Sequence, residues 1–238
     1  MKEKETIEYL DLKSLVPFRN HPFKLRGGEE KEQLLQSIKT QGAIEPLIVR
    51  PLSESEYEVI SGYRRMEICR ELGMETVPVI VRNLTNEQAV SMMVDANLHR
   101  NNILPSERAF AYKMKWEAIR KQGQRTDLTS SQPATKYRSD ERIANEFGIG
   151  KDTLHRYIRL TYLIPELLEM VDEGRIALTP AVELSYLTNE EQQTLLNEIE
   201  YADATPSLSQ AQRLRGFSRQ GRLNSDVIFA VMSEEKAN

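Results

Sequence analysis

Gly62 stands between two segments of opposite periodicity, and that junction limits the folds open to the chain. Before it, Tyr57-Glu58-Val59-Ile60-Ser61 alternates and is rich in β-formers, which predicts a strand. After it, Met66, Ile68, Cys69 and Leu72 recur at helical spacing, and Gly73 supplies a C-terminal stop. A strand that turns directly into a helix leaves backbone N–H groups and the positive end of the helix dipole at the junction. Both favour an anion. Glycine removes the Cβ that would obstruct close approach. Arg64 and Arg65 then offer planar, permanently charged forks suited to phosphate oxygens. Taken alone, Gly62-Tyr63-Arg64-Arg65 also fits a turn glycine followed by two solvated arginines.

Two further stretches shift that balance. Gly42-Ala43-Ile44-Glu45-Pro46-Leu47-Ile48-Val49-Arg50 follows a predicted helix over Glu30–Gln41, with Leu34, Leu35 and Ile38 inward and Gly42 past its end. Thr85-Asn86-Glu87-Gln88 has capping-box form and opens a helix through Ala89, Met92 and Met93 towards Ala96. Asn97-Leu98-His99-Arg100 comes next, with Asn101 and Asn102, and Pro105-Ser106-Glu107 begins another helix with Pro in its first turn. A cluster this rich in amide and guanidinium donors, joined to two glycine turns, has the parts needed to hold a polyphosphate.

A second module begins at Asp140. Ile143, Ala144, Phe147, Gly148, Ile149, Leu154 and Tyr157 occupy the spacing of a helix-turn-helix, with a small residue at the crossing and glycine in the turn. The first helix is expected over Glu141–Phe147 and the recognition helix from Lys151 or Asp152 to Leu163. Lys151, Thr153, His155, Arg156 and Arg159 then face outward towards a DNA groove. A generic helical hairpin with a solvated basic face shares part of this pattern, but six or seven matched positions favour the DNA-reading version. His155 reads as a DNA contact rather than a metal ligand, because no partner His or Cys lies nearby.

Gly-x-Arg-Arg followed by Asn-Leu-His-Arg-Asn-Asn-Ile-Leu-Pro-Ser-Glu-Arg-Ala resembles the ParB family of partition proteins, of plasmid or mobile-element type, over roughly Leu10 to Asp203. The resemblance implies a centromere-like site on double-stranded DNA, binding and magnesium-dependent hydrolysis of CTP, a homodimer that closes as a clamp, and a ParA-type Walker ATPase as partner. It also assigns residues. Gln41, Gly42 and Pro46 fall in the first phosphate motif; Gly62, Tyr63, Arg64 and Arg65 form the nucleotide-binding turn; Asn97 and Arg100 fall in the second phosphate motif. Two positions depart from the family: Tyr63 replaces an acidic residue, and Ala96 replaces a Glu associated with the Mg²⁺ ion. Asp95 is the substitute ligand at hand, although a shift of one residue on a helix rotates the side chain by about 100°.

Charge is patterned along the chain rather than expressed in its net value of −4. Six basic and four acidic residues lie between Lys136 and Leu163, while Ile164 to Asp203 holds ten acids and only Arg175. Arg213, Arg215, Arg219 and Arg222 follow without an acid between Ala204 and Ser225. Local charge decides where a phosphate backbone can lie. No apolar run approaches the roughly 20 residues that span a bilayer. The start lacks a signal-peptide pattern, and the single Cys69 reads as a buried structural thiol. These features predict a cytoplasmic, nucleoid- or plasmid-associated protein without membrane contact.

The expected fold class is α+β: a small mixed α/β domain followed by an all-α helix-turn-helix domain. Its expected parts are an extended N-terminal extension over 1–19, a nucleotide-binding domain with following helices over 20–122, and a linker over 123–139. A DNA-binding domain over 140–203 and a basic C-terminal helix or tail over 204–238 complete it. Strands are expected at Leu47–Arg50, Tyr57–Ser61 and Val77–Arg82. Competing functions are a nucleotide-independent helix-turn-helix regulator, to which Tyr63 and Ala96 point, and a small-molecule kinase or nuclease. The last ranks lowest, since no carboxylate or histidine cluster suited to metal catalysis appears.

Overall fold

Alternation in the first half and helical periodicity in the second produce two compact units in the computed structural model, which describes residues 6–24, 27–42, 45–98, 100, 102–126 and 135–234. Met1–Asn101 with Glu117–Ser131 make up the first unit, and Asn102–Trp116 with Gln132–Asn238 the second.

The first unit is built on a five-stranded mixed sheet. Its strands are β1 (Ile7–Asp11), β2 (Leu15–Pro17), β3 (Leu47–Pro51), β4 (Tyr57–Ser61) and β5 (Thr76–Val81), in the order β1-β5-β3-β4-β2. The helices are α1 (Glu29–Gln41), α2 (Tyr63–Glu71) and α3 (Asn86–Leu98). Val49, Val59, Met66, Ile68, Cys69, Val77 and Val79 are wholly buried in one core. Burying each aliphatic side chain of this size contributes about 1.5–3 kcal/mol.

The segment expected as an N-terminal extension outside the domain is instead part of the sheet. β1 pairs antiparallel with β5, and β2 pairs parallel with β4. Both lie at the edges, where one side of the ladder meets solvent, so Ile7 and Tyr9 stay exposed and no clean alternation marks the strand.

Register at the end of β4 bears on the site. Ile48 pairs with Ser61 and Val49 with Val59, so Ile60 is an extra residue on β4. Such a bulge bends the strand and re-aims the chain beyond it. Gly62 comes directly after this bend, at φ 96° and ψ 19°, and α2 starts from it. Earlier on the same pair of strands, Glu58 on β4 and Arg50 on β3 form a buried ion pair of 2.6 Å. The same carboxylate accepts from the Arg19 backbone N–H.

The second unit consists of helices. The long α4 (Pro105–Thr126), whose residues to Trp116 belong to this unit and whose residues from Glu117 belong to the first, is followed by α5 (Thr135–Glu146), α6 (Lys151–Leu160), α7 (Pro165–Asp172), α8 (Leu178–Leu184), α9 (Asn189–Ala202), α10 (Leu208–Arg219) and α11 (Ser225–Met232). The predicted linker is shorter than 123–139, since α4 continues to Thr126 and α5 begins at Thr135; residues 127–134 lie outside the described residues. The expected boundary at 203 is not a structural one. Ala211 and Leu214 on α10, with Ile228, Val231 and Met232 on α11, share one core with Leu167, Leu184 and Leu195. The expected single C-terminal helix or tail over 204–238 is two helices, α10 and α11.

Capping fixes these helices. Thr188 with Glu191 and Ser207 with Gln210 form reciprocal capping boxes. Buried Gln192 accepts from Ile164 N–H and donates to the carbonyls of Tyr162 and Leu187, holding the turn between α6 and α7. No helix among the described residues is long and apolar enough to cross a membrane.

Candidate phosphate cleft and helix-turn-helix face

In the first unit, the end of β4, the start of α2 and the C-terminal end of α3 enclose a cleft of about 660 Å³ lined by Glu30, Leu34, Glu45, Ser61, Gly62, Arg64, Arg65, Ala96 and Arg100. Its size suits a nucleotide-sized ligand. Three guanidiniums face it against two carboxylates. Both carboxylates are occupied: Glu30 pairs with Arg64 at 3.2 Å and Glu45 with Arg65 at 3.3 Å. Both acids are largely solvent-exposed, so an entering phosphate displaces weakly held, screened partners.

Each arginine has a distinct setting. Arg65 also donates to the carbonyls of Glu45 and Pro46, bracing the segment that leads into β3. Burial lowers its pKa, with Glu45 opposing, yet a guanidinium stays charged. Arg64 keeps a buried Nε donor with no partner. An orphaned donor of this kind costs free energy until an acceptor arrives. Gly62 leaves room at the same point, since a β-carbon there would meet the Leu47 side chain and the Arg65 guanidinium. These features fit an anion with several oxygens.

Of the residues expected from sequence, Gly62, Arg64, Arg65 and Arg100 come together at the cleft. Gln41 is exposed at the end of α1, and Gly42 closes that helix at φ 76° with its N–H on the Ile38 carbonyl. Pro46 contributes its carbonyl to Arg65. Tyr63 lies outside the cleft lining, packs against the core of the sheet and meets the His21 ring at 4.8 Å with a 36° tilt. Burial raises its phenol pKa, and Glu67 adds to the effect, so it is neutral. Asn97 is buried behind the cleft, donating to the Met93 carbonyl, with its Oδ1 buried and unpartnered. Glu30, Leu34, Glu45 and Ser61 were not anticipated. Nothing local distinguishes Glu30 from the other acids opening α1.

The donor set does not fit magnesium. Ala96 lines the cleft without a carboxylate, while Asp95 is absent from the lining and accepts from Ser91 one turn back on α3. No group of three metal-ligating side chains exists among the described residues.

In the second unit, α5 and α6 flank a tight turn in which Gly148 adopts φ 64°. Ile143, Ala144 and Leu154 are buried between them, and Phe147 stacks on Tyr112 of α4 at 4.8 Å. The recognition helix ends at Leu160 rather than Leu163. Thr161 folds its hydroxyl back onto the Ile158 carbonyl, and Leu163 packs in the turn beyond it.

The five residues expected on the groove face differ in setting. Lys151 and Thr153 are half-buried at the start of α6. His155 is exposed but tethered, its Nε2 lying 3.0 Å from the carboxylate of buried Asp140, which also accepts from the Trp116 indole at 2.6 Å. Arg156 donates to Thr179 at the start of α8. Arg159 is not simply outward. It donates to the Ser185 hydroxyl and carbonyl and lies over the Tyr186 ring at 3.9 Å. Ser185 stands 26 residues away in sequence, beyond any helical-wheel projection.

Fold and site together define a two-part molecule, a mixed-sheet domain with an arginine-lined cleft and a helical domain with a helix-turn-helix. The ParB N-terminal domain matches residues 1–98. The nucleoid occlusion protein of Geobacillus kaustophilus is 30% identical over 168 residues, covering 71% of this chain and 54% of the relative. The chromosome-partitioning protein Spo0J of Thermus thermophilus is 31% identical over 206 residues, covering 87% of this chain and 69% of that protein. The solved structure of a Pnob8-like ParB-N domain is similar in fold, with a TM-score of 0.54 at 16% identity, covering 98% of this chain and 100% of that one. The chain belongs to the ParB family. It spans 54% to 65% of the length of the first three curated relatives it matches.

Proposed function

We propose that this protein is a partition-type DNA-binding protein that reads a centromere-like site on double-stranded DNA and binds CTP in its N-terminal cleft. The observation that carries the nucleotide half is the buried, unpartnered Nε of Arg64 beside Gly62, with Arg65 and Arg100 on the same cleft. In this reading the α2 N-terminus and the three guanidiniums hold the polyphosphate, and the Glu30 and Glu45 carboxylates yield their places to it. A nucleotide bridging the end of β4 and the end of α3 ties those two elements together. That ordering favours engagement of two copies as a clamp on DNA, for plasmid or chromosome segregation with a ParA-type Walker ATPase.

On the DNA side, α6 enters the major groove. Lys151, Thr153, His155 and Arg156 supply contacts, with phosphate bonds fixing register and base-edge bonds specifying sequence. The partitioning and nucleoid-occlusion roles in the relatives' names support this half. No step is routed through a metal ion, because Ala96 brings no carboxylate to the cleft and Asp95 lies outside its lining.

Ala96, and Tyr63 outside the cleft lining, favour a second reading, a helix-turn-helix DNA binder without nucleotide switching. Equilibrium binding of labelled CTP, ATP and GTP, with and without a duplex chosen by selection from random sequence, separates the two. CTP preference that responds to the duplex is the expected result. Equal, weak binding of all three nucleotides beside tight duplex binding establishes the second reading.

A further inference from the structure

Beside the recognition helix, cations and aromatic rings alternate along the surface of the helical unit. Lys113 on α4 lies over the Tyr162 ring at 4.9 Å, and Arg159 on α6 lies over the same ring at 4.5 Å. Arg159 also lies over Tyr186 at 3.9 Å, and Arg215 on α10 over Tyr186 at 3.6 Å. The result is a continuous seam, Lys113–Tyr162–Arg159–Tyr186–Arg215. Tyr162 and Tyr186 remain 50% and 44% exposed, so the seam faces solvent rather than the core.

Its chemistry selects the partner. Stacking on tyrosine holds each cation in place before a ligand arrives, which reduces the side-chain ordering that binding would otherwise cost. Arg159 spends two N–H groups on Ser185, leaving others in its fork for an outside acceptor. Arg215 pairs with an acid, Glu183, at 2.8 Å. The three cations of the seam stand beside Ile164 to Asp203, a segment that carries ten acids and one base. The cations form a local positive strip that attracts a polyanion laid along it, while the surrounding acids repel one and confine it to the seam.

We infer that this seam seats the sugar–phosphate backbone of double-stranded DNA next to the bases read by α6, and that its contribution is independent of sequence. The inference rests on the DNA-reading function proposed above. It involves Lys113, Tyr162, Tyr186 and Arg215, none of which belongs to the recognition surface of α6. Arg159 joins the two, since it lies on α6 and at the centre of the seam.

Lys113→Gln, Arg215→Gln and Glu183→Gln in the full chain test it, by fluorescence anisotropy on the selected duplex and a scrambled one across a salt series. Each phosphate contact contributes about 0.9 to the slope of log K against log[salt]. Lys113→Gln and Arg215→Gln should each flatten that slope by about this amount on both duplexes, leaving the specific-to-scrambled ratio unchanged. Glu183→Gln, which removes the competing acid, should strengthen binding to both. Thermal unfolding monitors the fold, and if Arg215→Gln unfolds, Lys113→Gln and Glu183→Gln still decide. Unchanged slopes and affinities in those two variants overturn the seam while leaving the DNA-reading proposal intact, and are the result expected if the seam serves an acidic protein instead. A wild-type chain that binds neither duplex overturns both.

Discussion

A β-carbon placed on Gly62 would lie 2.4 Å from Leu47 Cδ2. Leu47 is 1% exposed and lies within the core of the sheet unit, so its side chain has little room to retreat. Gly62 also sits at φ 96°, where an L side chain is strained. Gly62→Ala therefore combines backbone strain with overpacking at the mouth of the cleft. We expect a loss of about 1–3 kcal/mol in urea unfolding together with loss of CTP binding by calorimetry. Wild-type stability and affinity in this variant would show that the glycine is not needed for the cradle.

Arg65→Ala removes both a phosphate ligand and the brace on Glu45 and Pro46. CTP binding is expected to disappear while the initial encounter with specific DNA persists, because α6 lies in the other unit. Parallel titrations with nucleotide and with duplex check this. Retained CTP affinity would move the binding site away from the cleft.

Glu58→Ala leaves Arg50 buried without its carboxylate. Removing one partner of a buried pair costs about 3–5 kcal/mol, more than the pair itself contributes. Chemical unfolding should reveal a loss of this order. A change below about 1 kcal/mol would mean that water reaches Arg50 as it reaches a surface pair.

Arg156 and Arg159, three residues apart on α6, should separate in their effects. Arg156 makes one exposed hydrogen bond to Thr179, so Arg156→Ala should cost about 1–3 kcal/mol of specific DNA binding with little loss of stability. Arg159→Ala breaks two hydrogen bonds to Ser185 and two ring contacts, and should lower folding stability by about 1–3 kcal/mol. Melting curves and anisotropy on the same preparations distinguish them. Identical behaviour of the two variants would remove the structural role given to Arg159.

What the sequence disclosed was local. The strands expected at Tyr57–Ser61 and Leu47–Arg50 announce themselves through their run of β-formers between turn residues, and the Thr85–Gln88 capping box because capping is settled within four residues. β1 escaped notice because an edge strand with Tyr9 in solvent has no alternation to detect. The cleft's glycine and arginines were legible because strand, turn and helix are consecutive there. Glu30 and Glu45 were not, because their pairing with Arg64 and Arg65 spans 34 and 20 residues. The environment of Arg159 depends on Ser185 and Tyr186 at the end of α8 and was equally invisible.

Magnesium is where this chain departs furthest from the pattern its motifs resemble. The cleft presents Ala96 where a carboxylate is expected, and Asp95 faces Ser91 on the same helix. Mg²⁺ usually keeps several waters and is held by one or two carboxylates with substrate phosphates. Losing a carboxylate should therefore weaken metal coupling more than nucleotide binding, which the guanidiniums supply. We expect CTP to bind with little dependence on magnesium and to be hydrolysed slowly or not at all. Ala96→Glu should increase both metal dependence and turnover, and Asp95→Ala tests the neighbouring carboxylate directly. Phosphate release and calorimetry with and without the metal provide the measurements. Brisk hydrolysis by the wild-type protein that Asp95→Ala leaves unchanged would mean that neither carboxylate position governs the chemistry.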